Sequence, residues 1–351
     1  MEKLLHNRLI EYLNEQNYLY KHQYGFRERS STTIAAVELT WKLQEWLDKG
    51  KIPTAVFIDV SKAFDTIDHD ILLKKLDMMG IRQNTFELLK DYLQNRKHLT
   101  ELDGVKSSIE CVTCGVPQGG VLAALLYIIY VNDIGSLKLN GLILSFADDT
   151  VILYEQYDPV KIQEDLNVIS DYFRLNILSV NVLKTNYIVF HSQQSSQSSN
   201  DLTPLYINST PIEKVSVTKY LGLHIDESLT WSTHIDKTCS ELAKIVGVLY
   251  KLKNKLPKST LETIYFSLFQ SKILYLISIW GNAKKIYKKP LQVLQNRALK
   301  NVYSLPILYS TSHLYIINAR RMLPLQLLYE KSLITFMYQV TTQIIHNTTA
   351  V

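Results

Sequence analysis

Two stretches place carboxylates where a buried chain ordinarily has none. Phe146-Ala147-Asp148-Asp149-Thr150 sets two adjacent acids between the apolar runs Leu142-Ile143-Leu144-Ser145 and Val151-Ile152-Leu153-Tyr154. Two apolar strands joined by a short acidic turn predict a β-hairpin with charge at its tip. Upstream, Pro53-Thr54-Ala55-Val56-Phe57-Ile58-Asp59-Val60 predicts a buried strand ending in one acid. Alternation puts Ala55, Phe57 and Asp59 on one face, with no Lys or Arg before Asp59 in the strand. Adjacent carboxylates oppose each other's ionisation, and a divalent cation relieves that cost. An isolated Asp-Asp pair reads as a solvated turn. Three acids meeting across a sheet instead suit two octahedral Mg2+ ions with oxygen ligands at ~2.0–2.1 Å. Two such ions, about 3.5–4 Å apart, clamp the attacking and leaving oxygens of a phosphoryl transfer.

Charge distribution suggests what such a site would act on. The 351-residue chain has a formal net charge of +5. Residues 1–235 carry 22 Lys and Arg against 29 Asp and Glu, a balance of −7; residues 236–351 carry 16 against 4, a balance of +12. A basic C-terminal part beside an acid-bearing part predicts a polyanion held near a metal site. A hydrophobic content of 46% with 20% charged residues excludes general disorder, and the length allows two or three structural units. Three cysteines set no disulfide framework; Cys111 and Cys114 are spaced like half a zinc site but have no second pair. The opening Met1-Glu2-Lys3-Leu4-Leu5-His6 does not read as a signal peptide. The longest apolar run, Val121–Val131, falls short of the ~20 helical residues that span a bilayer, so no membrane partner is expected.

The elements that must hold these residues follow from periodicity. Residues 2–16 predict an amphipathic helix with Leu5, Leu9 and Leu13 on one stripe. Tyr24-Gly25-Phe26-Arg27 is a turn, with Arg27 either a phosphate contact or a surface cation. Ser30 or Ser31 caps a helix bearing Ile34, Val37, Trp41 and Leu47, its Trp residues in the core, closed by Gly50. Asp68 caps a helix bearing Ile71, Leu72, Leu76 and Met79 that ends at Gly80; Asp68 and Asp70 serve capping and the helix dipole, and Asp65 is structural. A helix from about Asn84 to Asn95 turns Phe86, Leu89 and Leu93 inward, and Asp103-Gly104 marks a hairpin. Gly115-Val116-Pro117-Gln118-Gly119-Gly120 opens the apolar helix Val121–Val131, and its backbone can approach a phosphate or base closely. Gln118 there both donates and accepts hydrogen bonds. Asp158-Pro159 opens a helix with Ile162, Leu166, Ile169 and Phe173 inward. Lys184 precedes a strand over 187–191, residues 192–204 form a flexible Ser/Gln-rich loop, and 219–226 read as a last strand. Beyond Thr230 the pattern is helical, roughly 232–255, 259–281 and 290–304, with Pro290 near a helix start. Lys251, Lys253, Lys255 and Lys258 cluster at one turn, and Lys284, Lys285, Lys288 and Lys289 at another. With Tyr250, Tyr265, Tyr275 and Tyr287 these predict a track for a nucleic-acid backbone.

In this order the signals resemble the reverse transcriptases of non-LTR retrotransposons, the LINE-type elements and their jockey-like group in particular. The residues that carry the resemblance are Tyr24-Gly25-Phe26-Arg27 with Ser31-Thr32-Thr33, Phe57-Ile58-Asp59-Val60-Ser61-Lys62-Ala63-Phe64-Asp65, Gly115-Val116-Pro117-Gln118-Gly119 and Phe146-Ala147-Asp148-Asp149. Lys184 and Tyr220-Leu221-Gly222-Leu223-His224-Ile225-Asp226, with Trp231 and His234-Ile235, extend it over nearly the whole chain. It implies an α+β right-hand polymerase: fingers and an antiparallel palm sheet over 1–228, and a basic helical thumb over 229–351. It implies an RNA-directed DNA polymerase that copies an RNA template onto the 3′-hydroxyl of a DNA primer or target DNA, using deoxynucleoside triphosphates. Asp59, Asp148 and Asp149 would hold two Mg2+ ions, with Mn2+ as substitute and the Val60 carbonyl as a further ligand. Phe64 would exclude a 2′-hydroxyl, and Gln118, Gly119 and Gly120 would contact the nucleotide. Lys184 would serve departing pyrophosphate as acid or neutralising charge. Tyr220, Leu221 and Gly222 would support the primer end, and Arg27, Lys251, Lys253 and Lys255 would contact nucleic acid, the thumb holding an RNA–DNA duplex by its A-like backbone. The family implies action in the nucleus.

The chain departs from the family at Gly120, where Ser is usual, and at Ala123-Ala124, where Gly-Pro is usual. Around Phe173, Leu175 and Val180-Asn181 the match is looser. The match begins inside the fingers, so the chain reads as a fragment of a longer frame. Two other readings stand beside the polymerase: a degenerate or repurposed chain that binds nucleic acid without polymerising, and a different two-metal phosphotransferase or nuclease.

Overall fold

The computed structural model describes residues 2–94, 96–117, 119–192, 203–306, 308, 310–312, 315 and 322–348. Two expectations, the nucleotide contact at Gln118 and most of the loop over 192–204, fall outside them. The chain divides into two compact units, Met1–Val215 and Ser216–Val351. Charge divides with them: residues 1–215 carry 21 Lys and Arg against 27 Asp and Glu, and residues 216–351 carry 17 against 6.

The first unit is of the α+β class. Its elements in order are α1 (Glu2–Glu15), α2 (Thr32–Asp48), β1 (Thr54–Ile58), α3 (His69–Met78), α4 (Gln83–Leu93), α5 (Val121–Val131), β2 (Leu142–Phe146), β3 (Asp149–Tyr154), α6 (Pro159–Leu175), β4 (Asn186–Val189) and β5 (Glu213–Lys214), with short two-residue ladders between. The sheet runs β5-β4-β1-β3-β2, antiparallel except for the β4–β5 edge pair. All five residues of β1 are buried, as its unbroken apolar run requires of a central strand covered on both faces. Val56, Ile58, Ile152, Tyr154, Tyr187 and Val189 join one continuous core with residues of α1, α3, α4, α5 and α6. The helix starts obey capping chemistry. Ser31 accepts from Ile34 N at 3.2 Å, Asp68 accepts from Ile71 N at 2.9 Å, and Asp158 accepts from Val160 N and Lys161 N.

One core expectation fails. Helix α2 buries Ala35, Ala36, Leu39 and Leu43, whereas Trp41 is 60% exposed and Trp46 only half-buried. Two adjacent alanines let this helix lie close to β2, and that contact sets its rotation. Trp41 then faces outward with the Lys42 amino group 5.0 Å from its ring.

The second unit holds β6 (Val217–Tyr220), β7 (Leu223–Asp226), α7 (Ser232–Leu252), α8 (Lys258–Ile264), a π-helical stretch Tyr265–Gln270, short turns Ser271–Leu274 and Ile277–Trp280, α9 (Lys285–Val302) and α10 (Leu325–Thr348). Four expectations change here. The single strand over 219–226 is a hairpin, because Leu221 (φ +45°) and Gly222 (φ +82°) reverse the chain between β6 and β7. The division between units falls after Val215 and not after residue 228, since β6 and β7 pair with each other and β7 packs on α7. The helix expected over 259–281 breaks at Leu276, which takes φ +52°. Helix α9 starts at Lys285, with Pro290 inside it and not at its opening. Among the described residues no helix is long and apolar enough to cross a membrane.

Candidate active site

The carboxylate hairpin forms as its sequence predicts. Phe146 pairs with Asp149, leaving Ala147 and Asp148 as the two turn residues, and Ala147 takes φ +56°. The β1–β3 register ends at Ile58 opposite Thr150. Asp59 follows Ile58 directly and so leaves β1 at the end that borders the acidic turn. Although Asp149 keeps an exposed edge, burial, then the charge of Asp148, then that of Asp59, push its carboxyl up to about 6. The buried Tyr127 hydroxyl is likewise driven far above its usual range, by burial first and then by Asp148 and Asp149. Among the described residues no group of three or more His, Cys, Asp or Glu side chains is gathered tightly enough to hold a metal ion. The Asp149 carboxyl still feels the charges of both Asp148 and Asp59. As donors they fit a hard cation, since all three offer carboxylate oxygen and crowded like charge.

Backbone contacts tie Lys184, Val60 and the Phe64 loop to the end of β1 and its surroundings. Asp59 N donates to Thr185 Oγ1 at 3.2 Å, Asn181 N donates to Asp59 O at 2.8 Å, and Thr185 Oγ1 donates to Asn181 O at 3.0 Å. Lys184, exposed, sits on the turn that brackets Asp59 in this way. Val60 is buried and pairs with Val180. The Phe64 ring stacks on Tyr127 at 4.6 Å between centroids and meets Phe26 edge-on at 6.2 Å. The glycine-rich segment is tied to the Phe64 loop. Val116 N donates to Phe64 O at 3.0 Å, Gly115 N donates to Ile67 O at 2.7 Å, and His69 Nε2 donates to Gly115 O at 2.7 Å. Gly115 has φ +82°, and a Cβ there would lie 2.7 Å from Asp65 O, so only glycine fits this approach. Gly119 takes φ +84° in open space. Gly120, which offers no side chain to cap α5, is complemented by Glu2, whose Oε2 accepts from Val121 N at 3.0 Å.

Other expected contacts are placed differently. The half-buried Arg27 donates through Nη1 to Tyr20 O at 2.8 Å and to Gln23 O at 3.5 Å, bracing its own loop. Tyr220, Leu221, Gly222, Lys251, Lys253 and Lys255 belong to the second unit. There Tyr275 Oη donates to Leu221 O at 2.7 Å, so the hairpin tip is anchored. Lys251 and Lys255 are exposed, and the Lys253 amino group lies 4.5 Å from the centroid of the exposed Tyr250 ring.

Sequence reasoning missed Gln23 and Tyr127. Gln23 is 3% exposed and hydrogen-bonds the Ala147 peptide on both sides. Its only signal was the neighbouring Gly25, where a Cβ would lie 2.3 Å from Ala147 N. Tyr127 looked like one more core residue of an apolar helix.

Residues 1–225 match the family described as reverse transcriptase (RNA-dependent DNA polymerase). The chain is 30% identical over 319 residues to the probable RNA-directed DNA polymerase from transposon BS of Drosophila melanogaster, covering 87% of this chain and 35% of that protein. It is 27% identical over 320 residues to the RNA-directed DNA polymerase from mobile element jockey of the same species, covering 87% of this chain and 34% of that one. The chain therefore spans about a third of the length of the curated relatives it matches. Among solved structures, apo telomerase from Candida tropicalis is similar at 14% identity and a TM-score of 0.49, covering 86% of this chain and 49% of that one. Since the family match takes in the whole central sheet, the chain belongs to the reverse transcriptase family.

Proposed function

We propose that this chain carries the polymerase site of a non-LTR retrotransposon, adding deoxynucleotides to a DNA 3′-hydroxyl along an RNA template. The observation that supports it is the register of β1 on β3, which carries Asp59 to the Asp148-Asp149 turn. Reverse transcriptases generally use divalent metal ions. When bound by Asp59, Asp148, Asp149 and the Val60 carbonyl, two Mg2+ ions, or Mn2+ in their place, supply Lewis-acid stabilisation to the attacking and departing oxygens.

The chain's own residues supply the rest. The Phe64 ring, backed by Tyr127, fills the space a 2′-hydroxyl would need. The open space at Gly119 leaves room for the nucleotide, and Gln118 and Gly120 are its further contacts in this reading. Lys184, on the turn that brackets Asp59, donates a proton to departing pyrophosphate or neutralises it. In this reading the first unit supplies fingers and palm, and the second supplies the thumb. Tyr220, Leu221 and Gly222 support the primer end, while Lys251, Lys253 and Lys255 follow the duplex backbone.

The deciding experiment is primer extension by the purified chain on an oligonucleotide-primed RNA template with Mg2+ and deoxynucleotides, beside Asp148→Asn. Extension is expected from the parent alone. Duplex binding should persist in the variant, which loses a metal ligand and no backbone contact. Equal extension by both would remove the palm-site assignment. A second reading, nucleic-acid binding without polymerisation, draws on the basic second unit, with 17 Lys and Arg against 6 Asp and Glu. Salt-sensitive duplex binding with no extension by the parent would select it.

A further inference from the structure

The turn that presents Asp148 and Asp149 is held from outside its own hairpin. Ala147 takes φ +56°, a conformation that a residue with a Cβ adopts at a cost. Gln23 Oε1 accepts from Ala147 N at 2.9 Å and from Gly25 N at 2.8 Å, while Gln23 Nε2 donates to Ala147 O at 3.4 Å. One buried amide therefore takes up both peptide groups that flank the Ala147 Cα. Around it, residues 22–24 lie along β2 like an added strand. Ser145 N donates to His22 O at 3.0 Å and Tyr24 N donates to Ser145 O at 2.8 Å, in parallel register about Gln23 and Ser145. Gly25 seals the other side, since any Cβ there would strike Ala147 N. Arg27 closes the loop by donating to the Tyr20 and Gln23 carbonyls. No other side chain of this size offers an acceptor for two N–H groups and a donor for a carbonyl without a charge. A negative charge here, as from Glu, would add to the crowding that Asp148 and Asp149 already create.

We infer that Gln23 is a positioning residue for the paired carboxylates: by gripping the Ala147 peptide it fixes the direction in which Asp148 and Asp149 leave the turn. It acts through Ala147 and touches neither nucleotide nor cation. The inference rests on reading Asp148 and Asp149 as the palm carboxylates.

The test uses the full chain with Gln23→Leu, which keeps the volume and removes all three hydrogen bonds, alone and combined with Ala147→Gly. Glycine takes a positive φ freely, so a glycine turn has less need of the grip. Gln23→Leu should slow single-turnover extension about 100-fold, the scale of a misplacement near 1 Å. Primer–template affinity should stay near the parent's, while the thermal midpoint falls by a few degrees because the buried Ala147 and Gly25 backbone groups lose their partner. Adding Ala147→Gly should recover at least about tenfold of the rate. Amide hydrogen exchange at Ala147 and Gly25 should quicken in Gln23→Leu whatever the polymerase activity. Unchanged exchange at Ala147 overturns the proposal. So does a lost rate that tracks lost thermal stability and does not recover with Ala147→Gly. If the parent itself fails to extend primers, the polymerase reading falls but this one is still decided. Mn2+ titration followed by electron paramagnetic resonance should then show weaker binding in Gln23→Leu, and equal binding overturns it.

Discussion

Replacing Asp149 by Asn should stabilise the metal-free chain while ending catalysis. Burial, then Asp148, then Asp59, raise the Asp149 carboxyl from 3.8 to about 6. A folded value above the unfolded one means that the folded chain holds this proton more tightly. The parent's stability is therefore intact below about pH 4, falls as the pH rises towards about 6, and carries the full cost of the crowded carboxylate above that. Each tenfold change in proton affinity is worth about 1.4 kcal/mol, so a rise of about two decades sets an upper limit near 3 kcal/mol. Because Asp149 keeps an exposed edge, solvent screening brings this to about 1–1.5 kcal/mol. On a unit of this size, 1 kcal/mol moves the melting midpoint by roughly 2–4 °C, so the variant should melt about 2–6 °C higher. The assay is thermal unfolding by circular dichroism in EDTA, from about pH 4 to about pH 8, on parent and Asp149→Asn. The gap should be narrowest at the acid end and fully open above about pH 6. Millimolar Mg2+ should raise the parent's midpoint and leave the variant's nearly unmoved, because only the parent retains the site. A variant that melts below the parent at neutral pH, or a gap of constant size across the pH range, would refute the idea that carboxylate crowding is stored in this turn.

Phe64→Ala should open the space beside Tyr127 and lower discrimination against ribonucleotides by about tenfold or more. Single-turnover incorporation of matched deoxy- and ribonucleotides measures this, and unchanged sugar selectivity would count against the gate. Neutralising Lys251, Lys253 and Lys255 with Gln should flatten the log–log salt dependence of duplex binding by roughly 0.7–0.9 per lost phosphate contact. An unaltered slope would put the duplex track elsewhere. Asp68→Ala should cost about 1 kcal/mol of stability through the lost bond to Ile71 N, with Mn2+ affinity unmoved. A fall in that affinity would assign Asp68 to the metal site as well as to the cap.

Much of the local structure was legible because neighbours in sequence decide it. Ser31, Asp68 and Asp158 cap helices that their own following residues make, and Asp103-Gly104 reverses the chain where both residues take positive φ. The hairpin over 142–154 and helix α5 follow from apolar runs bounded by turn residues. Part of the site was legible too. The types and flanks of Asp59, Asp148 and Asp149 marked them as chemically unusual before any fold was in view.

Which residues meet was decided elsewhere. A helix period states that one face is apolar, but the partner fixes the rotation: paired alanines, not Trp41, turned inward once α2 met β2. The approach of Asp59 to Asp149 is a matter of strand register between segments far apart in the chain. The same holds for Glu2 at the start of α5 and for Gln23 at the Ala147 peptide, each a polar side chain recruited by a distant backbone group. The sequence by itself determined the acids, the turns, the caps and the charge imbalance, because these depend on backbone sterics and contiguous residues. Tertiary structure alone decided the register, the buried amide that grips the acidic turn and the division after Val215, because burial and hydrogen-bond satisfaction are settled between elements and not within them.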